Sequence, residues 1–340
     1  LILSIGFAMS GYLLEILLAF SGAWGWLWWC WQRDLMARGP HDGRQNSVPD
    51  GSLIAAGLIA ITAITGLATV TFNLLVLWLC FAAFLGVSVQ LARRIPDPAP
   101  IISDQFEAPP PVLWVRSRAA AVASFVCLTI GVGILIVLSG RFHLSEISEA
   151  LQPVLHPSHG IGGPSFKLLA VRGAVVAVLV GTGLASFTSP LHFVALEAVQ
   201  QWPGALAGWW VTMSRLLGLM LVWRIVQATY SGLEAALVSV MLGLAVLSLV
   251  HGAASLWQEL SLRGLSARLL VLQSGLNWLA LAAAVVKPAT TSDVAPPFNG
   301  GAEWLIATWA TSSLALLVLL GAEQSLCATP RRLDYFEQLK

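Results

Sequence analysis

From Leu53 to Ala92 the chain runs about 40 residues without one Asp, Glu, Lys or Arg, whereas a helix of about 20 apolar residues already crosses a ~30 Å hydrocarbon layer. A single helix of that length would measure ~60 Å. The run therefore fits two membrane helices joined by a tight turn near Thr71–Asn73. The same reading along the chain gives nine expected spans: Ser4–Trp28, Leu53–Thr71, Leu74–Ala92, Ala119–Leu138, Leu168–Phe187, Gly204–Trp223, Leu233–Leu256, Leu269–Val286 and Trp304–Gly321. Leu1 to Trp31 is too long for a signal-peptide core and lacks a charged region before it, so it reads as a membrane helix. The expected fold is all-α, a polytopic bundle of about nine transmembrane helices with one discontinuous helix near Ser189–Pro203.

Composition agrees. The chain is 57% hydrophobic and 10% charged, against about 25% charged in a soluble domain. A net charge of +1 argues against nucleic acid as a partner. Cys30, Cys80, Cys127 and Cys327 lie far apart, so a disulfide framework, a zinc site or an iron–sulfur cluster is not expected. One membrane domain covers residues 1–340. Within it, 1–50 holds the first helix and a cytoplasmic loop, 51–230 a core, and 231–340 a partial second bundle with a tail.

Loop charge sets the orientation. Arg33, Arg38, Arg44, Arg93, Arg94, Arg116, Arg118, Arg263, Arg268, Arg331, Arg332 and Lys340 fall on one side of nine spans. Arg141, Lys167, Arg172, Arg224 and Lys287 fall on the other. This bias puts the C-terminus in the cytoplasm, most naturally at a bacterial inner membrane. Trp28, Trp29, Trp31, Trp114, Trp202 and Trp257 are expected in an aromatic belt at the inner boundary, with Trp223 and Trp304 at the outer. The loop Ile95–Pro111 is proline-rich and reads as extended. LSEISEALQPVL, in the outer loop, reads as a short surface helix.

Ionisable groups inside spans carry the functional signal. Arg215 lies twelve residues beyond Pro203, ~18 Å along a helix and so near mid-bilayer. It either pairs with a carboxylate to fix packing or takes part in ion or proton passage. Glu15, also deep in a span, is the candidate partner, and reads as a proton site or a polar packing group. His192 follows Pro190 in an expected helix break. It is either a proton-accessible group or one that hydrogen-bonds within the break. His156 and His159 flank Pro157 with no third ligand nearby and read as loop. Gly131, Gly133, Gly181 and Gly183 are small residues that permit close helix packing.

The run from Ser189 to Leu219 resembles the proton-translocating membrane subunits of NADH-quinone oxidoreductase, subunit N in particular, and the related Mrp-type cation/proton antiporter subunits. Their pattern reads roughly G-F-K, four residues, P-F/L-H-F-W-x-P-D-x-Y-x-G-x-P, then S-K-x-x-G. Pro190, Leu191, His192 and Phe193 match it; Glu197 stands at the Asp, Pro203 at the last Pro, and Ser214, Arg215 and Gly218 at S-K-x-x-G. Further on, Gly252, Arg263, Leu265, Ala267 and Gly275 fall in register with the segment that usually reads G-N-x-x-A-L-x-Q, K-R-L-L-A-Y-S-S, H-x-G-Y. The resemblance spans most of Asp50–Gly321, making 51–230 an antiporter-like core. It implies proton translocation coupled to quinone reduction, with other membrane and peripheral subunits as partners. It places NADH, flavin, iron–sulfur clusters and quinone on those partners and no cofactor in this chain.

Departures from the family bear on activity. Its membrane glutamate falls at Ala82, its lysine in the broken helix at Ala185, its second lysine at Arg215 and its later histidine at Gln273. Its final helices, and helices before the first span, have no counterpart in the sequence. A buried lysine exchanges protons because desolvation lowers its pKa, whereas arginine keeps its charge. Arg215 could polarise a water chain or exclude cations but is a poor proton carrier. Arg215, His192, Glu197 and Glu15 are the pathway candidates, with Glu197 read mainly as an interfacial structural acid. Pumping is expected to be reduced; a non-pumping structural subunit and a stand-alone antiporter are the alternatives.

Overall fold

A computed structural model of the chain describes residues 51–94, 112–155, 166–185, 188, 192, 199, 204–229, 233–257, 262–285, 309 and 313. Eight helices lie within them: α1 (Gly51–Val70), α2 (Leu74–Arg94), α3 (Val112–Ser139), α4 (Leu144–Leu155), α5 (Phe166–Ala185), α6 (Gly204–Thr229), α7 (Glu234–Leu256) and α8 (Leu262–Val285). Six carry windows long and apolar enough to cross a bilayer, and α1 adds a shorter apolar stretch, Ala56–Val70. The protein is a polytopic membrane helix bundle, but the expected count of nine is not reached among the described residues. The first expected span lies outside them. Of the ninth, Trp309 and Ser313 are described, both helical.

The expected turn lies where the uncharged run required it. Asn73 ends it by capping α2, its Oδ1 accepting from the amides of Leu75 and Val76 at 3.0 and 3.3 Å. A second turn, Gly140–His143, packs against the first. Leu74 N–H donates to the Phe142 carbonyl at 2.8 Å and Leu144 N–H to that of Phe72 at 3.0 Å. Asn73 and His143 thus form an antiparallel bridge, and α2 and α4 satisfy one orphan donor each at their starts.

The surface helix expected at LSEISEALQPVL is α4. Leu144, Ile147, Leu151 and Leu155 recur at helical spacing and are buried, so α4 is seated on the bundle, against α6, α3 and α5. Buried hydroxyls on the helices are satisfied by their own helix. Thr65, Ser88, Thr182 and Thr212 each donate to the carbonyl four residues back.

The helix at the centre is α6. Every residue from Ala207 to Val226 is buried, and α1, α2, α4 and α5 pack around it. By contrast, α3 and α7 present apolar residues outward, among them Val122, Ile130, Val246 and Val250, as helices facing lipid or another subunit do.

Two helix pairs are held together at glycine. In α3 and α5, a Cβ added at Gly131 would lie 2.6 Å from the Ala174 carbonyl, and one at Gly181 3.0 Å from that of Ser124. In α7 and α8, a Cβ at Gly252 would lie 2.7 Å from Leu272 N and one at Gly275 2.9 Å from the Ala245 carbonyl. Backbones approach there as only small residues allow. The packing role expected for Gly131 and Gly181 is present. Gly133 has open space beside it, and Gly183 meets Thr188 only at ordinary contact distance.

Three further expectations are corrected. Arg224 is not a loop cation but a buried residue of α6, because the helix continues past Trp223 to Thr229. Trp223, expected in the outer belt, is among the largest fully buried side chains. Arg116, Arg118, Arg263 and Arg268 lie inside α3 and α8, which begin seven residues earlier than read from hydropathy.

Candidate functional site

Arg215 sits eleven residues into α6, ~16 Å from its start, and is 1% exposed. Its Nη1 donates to Oε1 of Gln273 on α8 at 3.3 Å. Its Nε and Nη2 have no hydrogen-bond partner among the described residues. Arg215 and Gln273 thus face each other, an arginine against an amide.

Beside Gln273, two residues of α8 hold Thr188. Trp278 Nε1 donates to Thr188 Oγ1 at 2.6 Å, and Thr188 Oγ1 lies 3.2 Å from Ser274 Oγ. Thr188 itself is fixed by its N–H, which donates to the Gly183 carbonyl at 3.1 Å just beyond the end of α5. Asn277, one turn along α8, is buried with its Oδ1 unpartnered among the described residues.

Indoles lock α6 into this frame. Trp210 Nε1 donates to Ser88 Oγ on α2 at 2.8 Å. Trp309 Nε1 donates to the Thr212 carbonyl at 3.2 Å. Further along, Arg224 Nη2 donates to the Thr69 carbonyl at 3.2 Å, and its guanidinium stands 3.8 Å over the Phe72 ring. That ring also stacks on His143 at 6.5 Å. Arg224 therefore plugs α6 into the α1–α2 turn by a hydrogen bond and a cation–π contact.

His192 lies between the spans of α5 and α6 and is buried. Its ring is 4.3 Å from that of His251 on α7, tilted by 57°. Its Nδ1 has no partner among the described residues. Burial first, then the neighbouring His251 and Arg268, push its imidazole down to about 4 from the usual 6.5. His192 is therefore neutral at pH 7.

Of the residues singled out in the sequence, Arg215, His192, Gly218, Gly252 and Gly275 are described here, and Gly218 is buried in α6. The Arg263 backbone lies in the first turn of α8. Glu15, Glu197, Pro190, Pro203, His156 and His159 lie outside the described residues. Sequence reasoning missed Arg224, Thr188, Trp278 and His251. The signal for Arg224 was the pair Ile225 and Val226, which carries the apolar pattern of the helix past it, and for His251 an imidazole within a span. Thr188 and Trp278 carry no local signal, because their contact joins residues 90 apart.

No protein-family model matches the sequence, and no curated protein does either. Among solved structures, the chain is similar to one in the structure of the Mrp complex from Dietzia sp. DQ12-45-1b, with a TM-score of 0.55 and 17% identity. The match covers 79% of this chain and 48% of that one, so the chain spans about half the length of the neighbour. At that identity the likeness is one of fold, a helical membrane bundle of the kind found in the Mrp complex.

Proposed function

We propose that this chain is a membrane subunit of an Mrp-like, antiporter-type assembly in which its own proton relay is reduced or lost. The observation that carries the reading is the Arg215–Gln273 contact at the heart of α6 and α8. An amine and an imidazole at those positions could pass a proton. A guanidinium holds its charge, and an amide does not titrate. Ala82 and Ala185 stand where the resembled family keeps a second ionisable pair. The fold neighbour's place in an Mrp complex supports partnership with other membrane subunits.

In this reading Arg215 keeps its proton and is a fixed polar post at the centre of the bundle, not a carrier. His192 and His251 stand ring against ring near one end of α7. A finer version joins the chain to a quinone-reducing assembly, with NADH, flavin, iron–sulfur clusters and quinone on partner subunits. The setting is the bacterial inner membrane, with the C-terminus cytoplasmic.

Reconstitution in proteoliposomes tests the core claim. The unaltered chain is expected to show no proton flux above empty vesicles, and the double variant Arg215→Lys with Ala82→Glu to gain it. Flux in the unaltered chain that His192→Ala abolishes overturns the reading. Purification in mild detergent separates the two assemblies: antiporter subunits co-elute in one case, NADH-oxidising and quinone-binding subunits in the other.

A further inference from the structure

Charge in the described interior has one sign. Arg215 and Arg224 are buried on α6, and Arg268 is half-buried on α8. The carboxylates whose side chains are described, Glu146 and Glu149, are both exposed on α4, and Glu146 is engaged with Arg141 at 3.7 Å. Buried charges are stable only when paired and hydrogen-bonded. Arg224 meets part of that need with a carbonyl and an aromatic face. Arg215 has an amide oxygen on Nη1 and nothing among the described residues on Nε and Nη2.

Those two unpartnered nitrogens define a geometry. Nε–H and the adjacent Nη2–H point the same way along one edge of the planar guanidinium and form its side-on fork. Such a fork holds an anion through two parallel charge-assisted hydrogen bonds. Among the described residues it lies in the interior, where every residue of α6 from Ala207 to Val226 is buried. A counter-charge for so enclosed an edge is more readily a small ion than the side chain of a partner subunit.

We propose that the Nε/Nη2 edge of Arg215 holds a small inorganic anion of halide size inside the bundle. The anion neutralises the guanidinium where this chain lacks the titratable amine of the family it resembles. The proposal rests on Arg215 as a permanent cation and not on any statement about proton flux, so it stands or falls separately from the proteoliposome result. The competing partner is a carboxylate of the same chain. The sequence offers Glu15, the one carboxylate placed away from the ends of an expected span.

The test is thermal unfolding of the purified full chain in detergent, with chloride or bromide replacing gluconate at constant ionic strength. Wild type is expected to gain a saturable upward shift in unfolding temperature. Arg215→Lys, which keeps the charge but loses the fork, is expected to need at least tenfold more halide for half-saturation, and Glu15→Gln to behave as wild type. Chloride-35 NMR line broadening on the wild type, reversed by bromide, reads binding even where a variant fails to fold. No halide dependence in the wild type by either method overturns the proposal. So does a halide shift seen only in Glu15→Gln, which would make that carboxylate the native partner.

Discussion

Arg215 on α6 and Gln273 on α8 share a hydrogen bond of 3.3 Å, and it ties the helix at the centre of the bundle to the α7–α8 pair. Its energetic weight comes from what its loss would leave. A hydrogen bond to a charged group is worth about 1.5–3 kcal/mol, and stripping it exposes a buried cation to an apolar wall. Gln273→Leu is expected to lower stability by about 2 kcal/mol, read as a drop in unfolding temperature in detergent. Gln273→Glu, which adds a counter-charge, is expected to fall less. Equal losses in the two variants would show that the site responds to packing alone.

A pH dependence follows from His192. Its folded-state pKa is depressed to about 4 from 6.5, so between those values the unfolded chain binds the proton more readily. Stability then rises with pH. The contribution is complete above about pH 6.5 and is lost as pH falls through about 4. Wild type should lose unfolding temperature over that window more steeply than His192→Gln. Parallel curves would mean that His192 is solvated.

The close approach of α7 to α8 makes Gly252 and Gly275 sensitive to bulk. A Cβ at either meets backbone atoms below 3.0 Å, and overpacking a fitted interface costs about 1–3 kcal/mol. Gly252→Val and Gly275→Val are each expected to reduce folded yield and unfolding temperature. Gly133→Val, in open space, should leave both close to wild type. Size-exclusion profiles and unfolding curves of the three variants check the contrast.

Arg224 anchors the far end of α6. Arg224→Met keeps bulk but loses the bond to Thr69 and the charge over Phe72. Phe72→Leu removes the ring alone. A double-mutant cycle between them should return about 1–2 kcal/mol of coupling, the range of a desolvated cation–π contact. Additive losses would show that Arg224 acts through the Thr69 carbonyl only.

What the sequence disclosed follows the reach of each interaction. The Thr71–Asn73 turn, the short helix at LSEISEALQPVL and the close packing at Gly131 and Gly181 are local or periodic effects, and all were readable. Arg215 announced itself by depth. The end of α6 was misread because a single cation was taken as a boundary, when a cation–π contact and a carbonyl 155 residues away hold it inside. Trp223 was misread in the same way, since tryptophan marks an interface only where its indole reaches one. Contacts such as Thr188 with Trp278, or His192 with His251, depend on how helices meet, and no spacing in the chain encodes that.

The bridge between Asn73 and His143 has a mechanical meaning. It stitches the connection after α1 to the connection after α3, and Arg224 leans on the same seam through Phe72. Helices fastened at one face of a bilayer can part only by splaying at the other. Parting of the α1–α2 pair from α3 and α4 would therefore hinge at the seam, with the fastened ends moving least.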